Sequence, residues 1–120
     1  IDTAVEGDCD RFGQAEQAIA CDTRWFRELS PARLVTQDRP VFNAAWRGQL
    51  AGVGDLADME GAAVARVAKL YGIPCAMVKG ISDAADEAGQ EDVANHMAWV
   101  SGRIADTLAQ ELSIKTVKQP

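Results

Sequence analysis

The sequence predicts a single α/β domain in which a few-stranded sheet is covered by helices. Strand-like and helix-like segments alternate along the chain, its 120 residues suit one domain, and 48% of them are hydrophobic, enough for a core. The domain is expected to span residues 1–112, followed by a polar, basic tail over 113–120. Only three or four strands are recognisable, so a second copy or a further segment is expected to complete the sheet.

The first third of the chain has the least regular pattern. Residues 1–5 (IDTAV) resemble the end of a strand, which suggests that the chain begins inside a fold. Glycine and aspartate then indicate a loop. Asp22 is a good N-cap candidate for a short helix over Thr23–Leu29, with apolar residues on its inner side. Arg33–Gln37, with its β-branched residues, predicts a short strand.

The middle of the chain contains the clearest helix. Asn43 is a candidate cap for a short helix that runs through Leu50, and a brief strand is predicted within Val53–Asp58. Met59–Tyr71 is rich in alanine and has apolar residues at helical spacing, which predicts a helix. Gly72 directly after it suits the C′ position that ends many helices.

The last third predicts a strand, a loop and the longest helix. Cys75–Ile81 is a compact apolar run between turn signals, as expected of a buried strand. Ser82–Gly89 is an acidic loop. The final helix is predicted from Gln90 or Glu91 to Leu112, because apolar residues recur there at helical spacing: Val93, Met97, Val100, Ile104, Leu108 and Leu112.

Charge and hydropathy exclude two classes of partner. The formal net charge of −6 and the sequence pI of about 4.6 argue against nonspecific binding of nucleic acid or of an anionic membrane surface. No apolar stretch approaches the length of a transmembrane helix. We therefore expect neither a nucleic-acid partner nor a membrane partner.

The three cysteines, Cys9, Cys21 and Cys75, match no zinc-binding spacing. Cys75 lies in an apolar run and is interpreted as a buried free thiol. A Cys9–Cys21 disulfide is an alternative with little support, and a reducing cytoplasm is the simpler interpretation.

Two acidic positions are candidates for chemistry. Asp83 follows a predicted buried strand, where ligands often bind in open α/β sheets, and a carboxyl there is a candidate general acid. Glu60 lies in the first turn of the alanine-rich helix and could accept hydrogen bonds from two hydroxyl groups of a sugar, beside Met59. Ser82 could orient Asp83. Purely structural roles are also open: a loop cap for Ser82 and Asp83, a helix-dipole position for Glu60 and core packing for Met59.

Other catalytic patterns are missing from the sequence. His96, the one histidine, lies beside the apolar stripe of the last helix and is interpreted as a packed or rim residue. The sequence contains no Ser-His-Asp set, no cluster of metal ligands and no phosphate-binding glycine loop. No metal and no cofactor are expected.

Four motifs together resemble the nucleoside phosphorylase/nucleosidase superfamily, and its 5'-methylthioadenosine/S-adenosylhomocysteine nucleosidases in particular. They are ADMEGAAVA at 57–65, GIP at 72–74, ISDAAD at 81–86 and, before them, LVTQD at 34–38. The resemblance covers nearly the whole chain but only the C-terminal half of the family's domain. It implies the C-terminal part of a three-layer αβα fold.

The resemblance also implies roles for individual residues. Met59 and Glu60 match the pair that binds ribose, and Asp83 matches the acid that protonates or hydrogen-bonds the purine at N7, with Ser82 beside it. Val41 and Phe42 fall where the family contacts the base, although the usual aromatic-then-aliphatic order is not reproduced. The expected partners are a purine nucleoside and either a second copy of the chain, as in a dimer, or a separate N-terminal half. The expected location is cytoplasmic.

The reaction implied is cleavage of an N-glycosidic bond with release of adenine. No basic residue directly follows Asp83, which favours water over phosphate as the nucleophile. In the family, the N-terminal half carries the carboxylate that activates this water. Two alternatives to an enzyme remain open at this point: a catalytically incomplete remnant that binds a nucleoside or purine, and an interaction domain without a ligand.

Overall fold

A computed structural model describes residues 1–7 and 17–117, with side chains up to residue 113. The predicted loop around Asp8, Asp10 and Gly13 and the alternative disulfide to Cys9 fall outside these residues. The described part contains four strands and three helices, which confirms the α/β fold class. They are β1 (Thr3–Glu6), β2 (Ile19–Ala20), β3 (Arg33–Thr36), α1 (Ala44–Leu50), β4 (Leu56–Asp58), α2 (Gly61–Leu70) and α3 (Gly89–Val117). In the described residues, no helix has the length and hydropathy needed to cross a membrane.

The strands form one sheet in the order β2-β1-β3-β4. β1, β3 and β4 are parallel, whereas β2 pairs with β1 in the antiparallel sense. Thr36 pairs with Glu6 on one side and with Asp58 on the other. The carboxyl ends of the three parallel strands therefore meet at one edge, which is where open α/β sheets usually bind ligands.

Helix α2 packs against this sheet and forms the core with it. Alanines on the inner face of α2 allow a close approach, and at Gly61 an added Cβ would lie only 2.3 Å from Leu34 Cδ2. Glycine is therefore required where α2 begins. The buried core cluster comprises Ala4, Ile19, Leu34, Ala62 and Ala65.

Several predicted elements are confirmed, because local signals define them. Asn43 caps α1, its side chain accepting a hydrogen bond from Trp46 N at 2.9 Å. α2 lies within the predicted Met59–Tyr71 helix, and Gly72 after it has the positive φ of 65° expected at C′. Strand β3 ends one residue before the predicted Gln37.

The predicted helix over Thr23–Leu29 is wrong, since this segment forms turns. The Asp22 carboxylate accepts hydrogen bonds from Arg24 N at 3.0 Å and from the Arg24 guanidinium at 2.8 and 2.9 Å. An aspartate that binds the backbone two residues ahead stabilises a turn in competition with a helix. Trp25 and Leu29 remain 45% and 41% exposed, so the predicted inner face does not form.

The predicted strand over Cys75–Ile81 is also wrong, because the run is not part of the sheet. It meets the sheet region at separate points: Asp22 N donates to Cys75 O at 2.7 Å, and the amino group of Ile1 donates to Met77 O at 2.9 Å. Met77 packs against the core cluster. A strand requires a continuous ladder with a neighbour, and an apolar run by itself does not provide one.

The last helix, α3, begins at Gly89, just before the predicted start at Gln90 or Glu91, and continues to Val117, beyond the predicted end at Leu112. Its apolar stripe is only partly covered. Val100 is buried and Ile104 is half-buried, whereas Met97 is 52% exposed and Leu112 is 56% exposed.

Candidate functional site

The Asp83 carboxylate is held by its own loop. Ser82 Oγ donates to Asp83 Oδ2 at 2.7 Å, and Ala85 N donates to Oδ1 at 2.7 Å. Ala85 has a φ of 55°, a left-handed conformation that costs a non-glycine residue about 1–2 kcal/mol. The half-buried carboxylate thus has both oxygens oriented while each oxygen keeps capacity for a further hydrogen bond.

An aromatic ring lies beside this carboxylate. At Gly89, the first residue of α3, an added Cβ would lie 2.4 Å from Phe42 Cδ1 and 3.4 Å from Asp83 Oδ1. Glycine at position 89 therefore leaves the space that the Phe42 ring occupies close to Asp83. Of the two residues expected to contact the base, Val41 is only 6% exposed, whereas Phe42 has accessible surface.

Helix α1 supports the acidic loop through two contacts that the sequence did not reveal. Arg47 Nη1 donates to Ala84 O at 2.7 Å, and Glu87 Oε1 accepts a hydrogen bond from Ala44 N at 3.2 Å. Arg47 therefore provides a positive charge near Asp83, although no basic residue directly follows Asp83 in the sequence. Because Arg47 and Ala84 are far apart in the sequence, no local pattern indicates their contact.

His96, a residue of α3, contacts the acidic loop. Its Nδ1 is 3.0 Å from Ser82 O, and the side chain is exposed. A hydrogen bond here requires the proton on Nδ1, since a carbonyl oxygen only accepts. His96 is therefore a rim residue that contacts the residue preceding Asp83.

Glu60 and Met59 lie at the start of α2. Glu60 occupies the N-cap position, but its side chain makes no capping hydrogen bond and is exposed. Met59 is 45% exposed, so it is not the core residue that one interpretation of the sequence allowed. Instead Asp58 caps the helix, since its Oδ2 accepts from Gly61 N at 2.9 Å. The Glu60 carboxylate is thereby left available to a ligand.

Asp58 is the centre of a polar network that the sequence did not indicate. Thr36 Oγ1 donates to Asp58 Oδ1 at 2.6 Å and accepts from Ala62 N at 2.8 Å. Lys79 forms an ion pair with Asp58 Oδ2. The side chain of Asp58 is 10% exposed and Thr36 is 3% exposed, so these groups satisfy one another away from water. The position of Asp58, three residues before Gly61, was the one local signal in the sequence that it caps α2.

An open groove of about 320 Å³ borders Glu60. Its lining includes Val64 of α2, Ile104 of α3 and Lys79, but it does not include Asp83. A larger cavity of about 480 Å³ lies around Phe26 and contains none of the predicted site residues. Among the described residues, the structure therefore brings Asp83, Ser82 and Phe42 together and places Met59 and Glu60 at a second point.

The chemistry available is that of carboxylates, an aromatic ring and a thioether. A fixed carboxyl beside an aromatic ring can donate a proton to a stacked heterocycle, and a free carboxylate can accept hydrogen bonds from neighbouring hydroxyls. Within residues 1–7 and 17–117, no group of three or more His, Cys, Asp or Glu side chains is arranged to hold a metal ion.

Comparison with known proteins identifies similar families and folds. A family model described as the phosphorylase superfamily matches residues 10–113. No curated protein matches the chain.

The solved structures that are similar to the chain include three from Francisella philomiragia and Helicobacter pylori. A Francisella philomiragia protein provisionally named 5'-methylthioadenosine/S-adenosylhomocysteine nucleosidase has a TM-score of 0.83 and 22% identity over 93% of this chain and 59% of its own. Futalosine hydrolase of Helicobacter pylori has a TM-score of 0.82 and 21% identity over 93% and 57%. A mutant H. pylori 5'-methylthioadenosine/S-adenosylhomocysteine nucleosidase, with 5'-methylthioadenosine in its active site, has a TM-score of 0.79 and 18% identity over 93% and 58%. This chain thus spans less than two thirds of their length.

Proposed function

This chain belongs to the phosphorylase superfamily, and we propose that it provides the base-protonating and ribose-holding side of a site that cleaves the N-glycosidic bond of a purine nucleoside. The observation that carries the proposal is the Asp83 carboxylate, oriented by Ser82 and Ala85 and placed beside Phe42. The names of the similar structures, which include 5'-methylthioadenosine/S-adenosylhomocysteine nucleosidases, support the same reaction class.

Asp83 acts on the leaving group. When the glycosidic bond breaks, its electron pair moves onto the base, and a proton donated from Asp83 to N7 neutralises the charge that develops there. The Ser82 hydroxyl and the Ala85 N–H hold the carboxyl in one orientation, so that it points at the base without rearrangement. The Phe42 ring offers a face against which a purine can stack.

Glu60 and Met59 act on the sugar. The carboxylate of Glu60 accepts hydrogen bonds from the two ribose hydroxyls, and the Met59 thioether packs against the sugar face. Both side chains are exposed, and the capping role at α2 is taken by Asp58, which supports this assignment. For one nucleoside to reach Asp83 and Glu60 together, it would have to extend from the Phe42 side of the acidic loop to the start of α2.

The substrate proposed is 5'-methylthioadenosine or S-adenosylhomocysteine, with water as the nucleophile and adenine as the product. The residues that follow Asp83 contain no cation for phosphate, and the nearby Arg47 already donates Nη1 to the carbonyl of Ala84. Release of adenine at the same rate with and without phosphate would support hydrolysis. A strict requirement for phosphate would show a phosphorylase instead.

The decisive experiment compares two neutralised carboxylates in one loop. The chain is incubated with 5'-methylthioadenosine and free adenine is measured by chromatography. Asp83→Asn is expected to lower the rate about 10²–10⁴-fold, the usual contribution of a general acid. Asp86→Asn is the matched control, since the Asp86 carboxylate accepts a hydrogen bond from Ala88 N at 3.0 Å and has no proposed role in the reaction, and it should stay within about twofold of wild type.

Equal losses in the two variants would contradict the role of Asp83. If the wild-type chain binds 5'-methylthioadenosine in calorimetry but releases no adenine, the chain binds the nucleoside without cleaving it. If it neither binds nor cleaves, the proposal is wrong. Light scattering on the same sample tests the expected homo-oligomer.

A further inference from the structure

Two cysteines that are far apart in the sequence are neighbours in the fold. Cys21 directly follows β2, and Cys75 begins the extended run 75–81. Asp22 N donates to Cys75 O at 2.7 Å. For a near-linear hydrogen bond of this length, standard peptide bond lengths place the two cysteine Cα atoms about 5–6 Å apart. Disulfide-bonded cysteines have Cα atoms about 4.4–6.8 Å apart.

The surroundings of the two thiols agree with this proximity. Both are free and half-buried, and Cys21 packs against the core cluster while its Sγ lies 3.8 Å from Ile19 O. Burial raises the pKa of the Cys21 thiol, and the neighbouring Cys75 raises it further. Cys75 is therefore close enough to Cys21 to affect the ionisation of its thiol.

We propose that Cys21 and Cys75 form an oxidisable dithiol site, which a small-molecule disulfide converts into an intramolecular disulfide. One protein thiolate attacks the small disulfide, forms a mixed disulfide and releases one small thiol. The second protein thiolate then attacks the protein sulfur of that mixed disulfide and releases the other small thiol. Both protein thiols are oxidised, the small disulfide is reduced to two thiols, and the two protons of the protein thiols pass to these products.

The disulfide would tie down the segment that leads to Asp83. The run 75–81 meets the sheet region through the hydrogen bonds at Cys75 and Met77, and it leads directly into Ser82 and Asp83. A covalent bond at Cys75 would fix the start of this run against the end of β2. It would also close a long loop and so restrict the unfolded chain.

The test uses the reduced full chain and glutathione disulfide as the oxidant. Cys9→Ser removes the third thiol, so only Cys21 and Cys75 can react. This variant is expected to lose two hydrogens in intact-mass measurement, to yield a Cys21–Cys75 cross-linked peptide, and to gain at least about 5 °C in thermal midpoint. A thiol reductant should reverse all three changes. Adding Cys21→Ser or Cys75→Ser should replace the cross-link by one bound glutathione.

Three results would overturn the proposal. The first is that both thiols of Cys9→Ser remain free. The second is that each of them carries its own glutathione. Either result would show that the two sulfurs do not meet. In wild type, Cys9 could be found paired with either of the other two cysteines.

Discussion

Asp58 and Asp83 are both half-buried, but the hydrogen-bond partners of Asp58 come from distant parts of the sequence and those of Asp83 are local. Asp58 is bound by Thr36 and Lys79, both about twenty residues away in the sequence, and by the first turn of α2. Asp83 is bound by Ser82 and Ala85 of its own loop. The long-range contacts of Asp58 join β3, β4, α2 and the extended run, so they hold the fold together. The local contacts of Asp83 orient a carboxylate without joining distant elements, which leaves it available for chemistry.

Glu60 extends this comparison. It lies two residues after Asp58 and carries the same charge, yet it is exposed and makes no capping hydrogen bond. One short stretch of sequence therefore contains an acid that stabilises the fold and an acid that remains free for a ligand.

The largest effect on stability is expected from Asp58→Ala. The substitution removes the acceptor for Thr36 Oγ1 and Gly61 N and leaves the partly buried Lys79 ammonium unpaired. We expect the free energy of unfolding to fall by about 2–4 kcal/mol, measured by urea denaturation. Glu60→Ala, the control two residues away, should change it by no more than about 0.5 kcal/mol. Equal losses would show that the two acids do not differ in role.

Thr36→Val tests the same network with almost no change of shape. The valine leaves Ala62 N without its acceptor and Asp58 Oδ1 without its donor, at a site that is 3% exposed. The expected loss is about 1–3 kcal/mol in urea denaturation. Thr107→Val is the matched control, because the Thr107 hydroxyl donates to the carbonyl of Arg103 within α3. A smaller loss at Thr36 than at Thr107 would contradict the bridging role of Thr36.

Ala85→Gly tests the local strain beside Asp83. Glycine adopts the left-handed conformation of residue 85 without steric cost, so we expect a gain of about 0.4–1 kcal/mol in thermal or urea denaturation. Ala84→Gly, at a position without positive φ, should be neutral or destabilising. A loss at Ala85 would mean that the loop does not hold this conformation in solution.

The smallest effect is expected at Asp55, an exposed acid just before β4. Hydrogen bonds from the side chain and backbone of Arg33 lower the pKa of Asp55 to about 2. Because the folded-state pKa lies below the ordinary value of 3.8, this contribution is present above about pH 4 and is lost as pH falls towards 2. Between pH 4 and pH 2, the thermal midpoint of Asp55→Asn should therefore depend less on pH than the thermal midpoint of the wild type. Parallel curves for the two proteins would exclude the contribution.

Features that depend on neighbouring residues were predictable from the sequence. The cap at Asn43, the end of α2 at Gly72 and the helical spacing of α2 are each defined within a few residues. The helix over Thr23–Leu29 was predicted wrongly, although the interaction that forms a turn there instead is also local. Asp22 is a good N-cap residue, and the same carboxylate closes a turn on Arg24 instead.

Features that depend on distant partners were not predictable. The run Cys75–Ile81 has the composition of a strand, but strand formation requires a neighbouring ladder that no local pattern specifies. For the same reason the contact of Arg47 with the acidic loop and the hydrogen bond from Asp22 N to Cys75 O had no signal in the sequence.

The sequence by itself determined the α/β class, the family motifs and the acids that those motifs contain. The tertiary structure decided how these acids are used. Thr36 and Lys79 reach Asp58 only after the strands are aligned, and their hydrogen bonds turn Asp58 into a structural group while Glu60 stays free. Phe42 has room to lie close to Asp83 because α3 begins with a glycine at that point. A carboxylate's role is set by the partners that surround it, and most of these partners are brought together by folding.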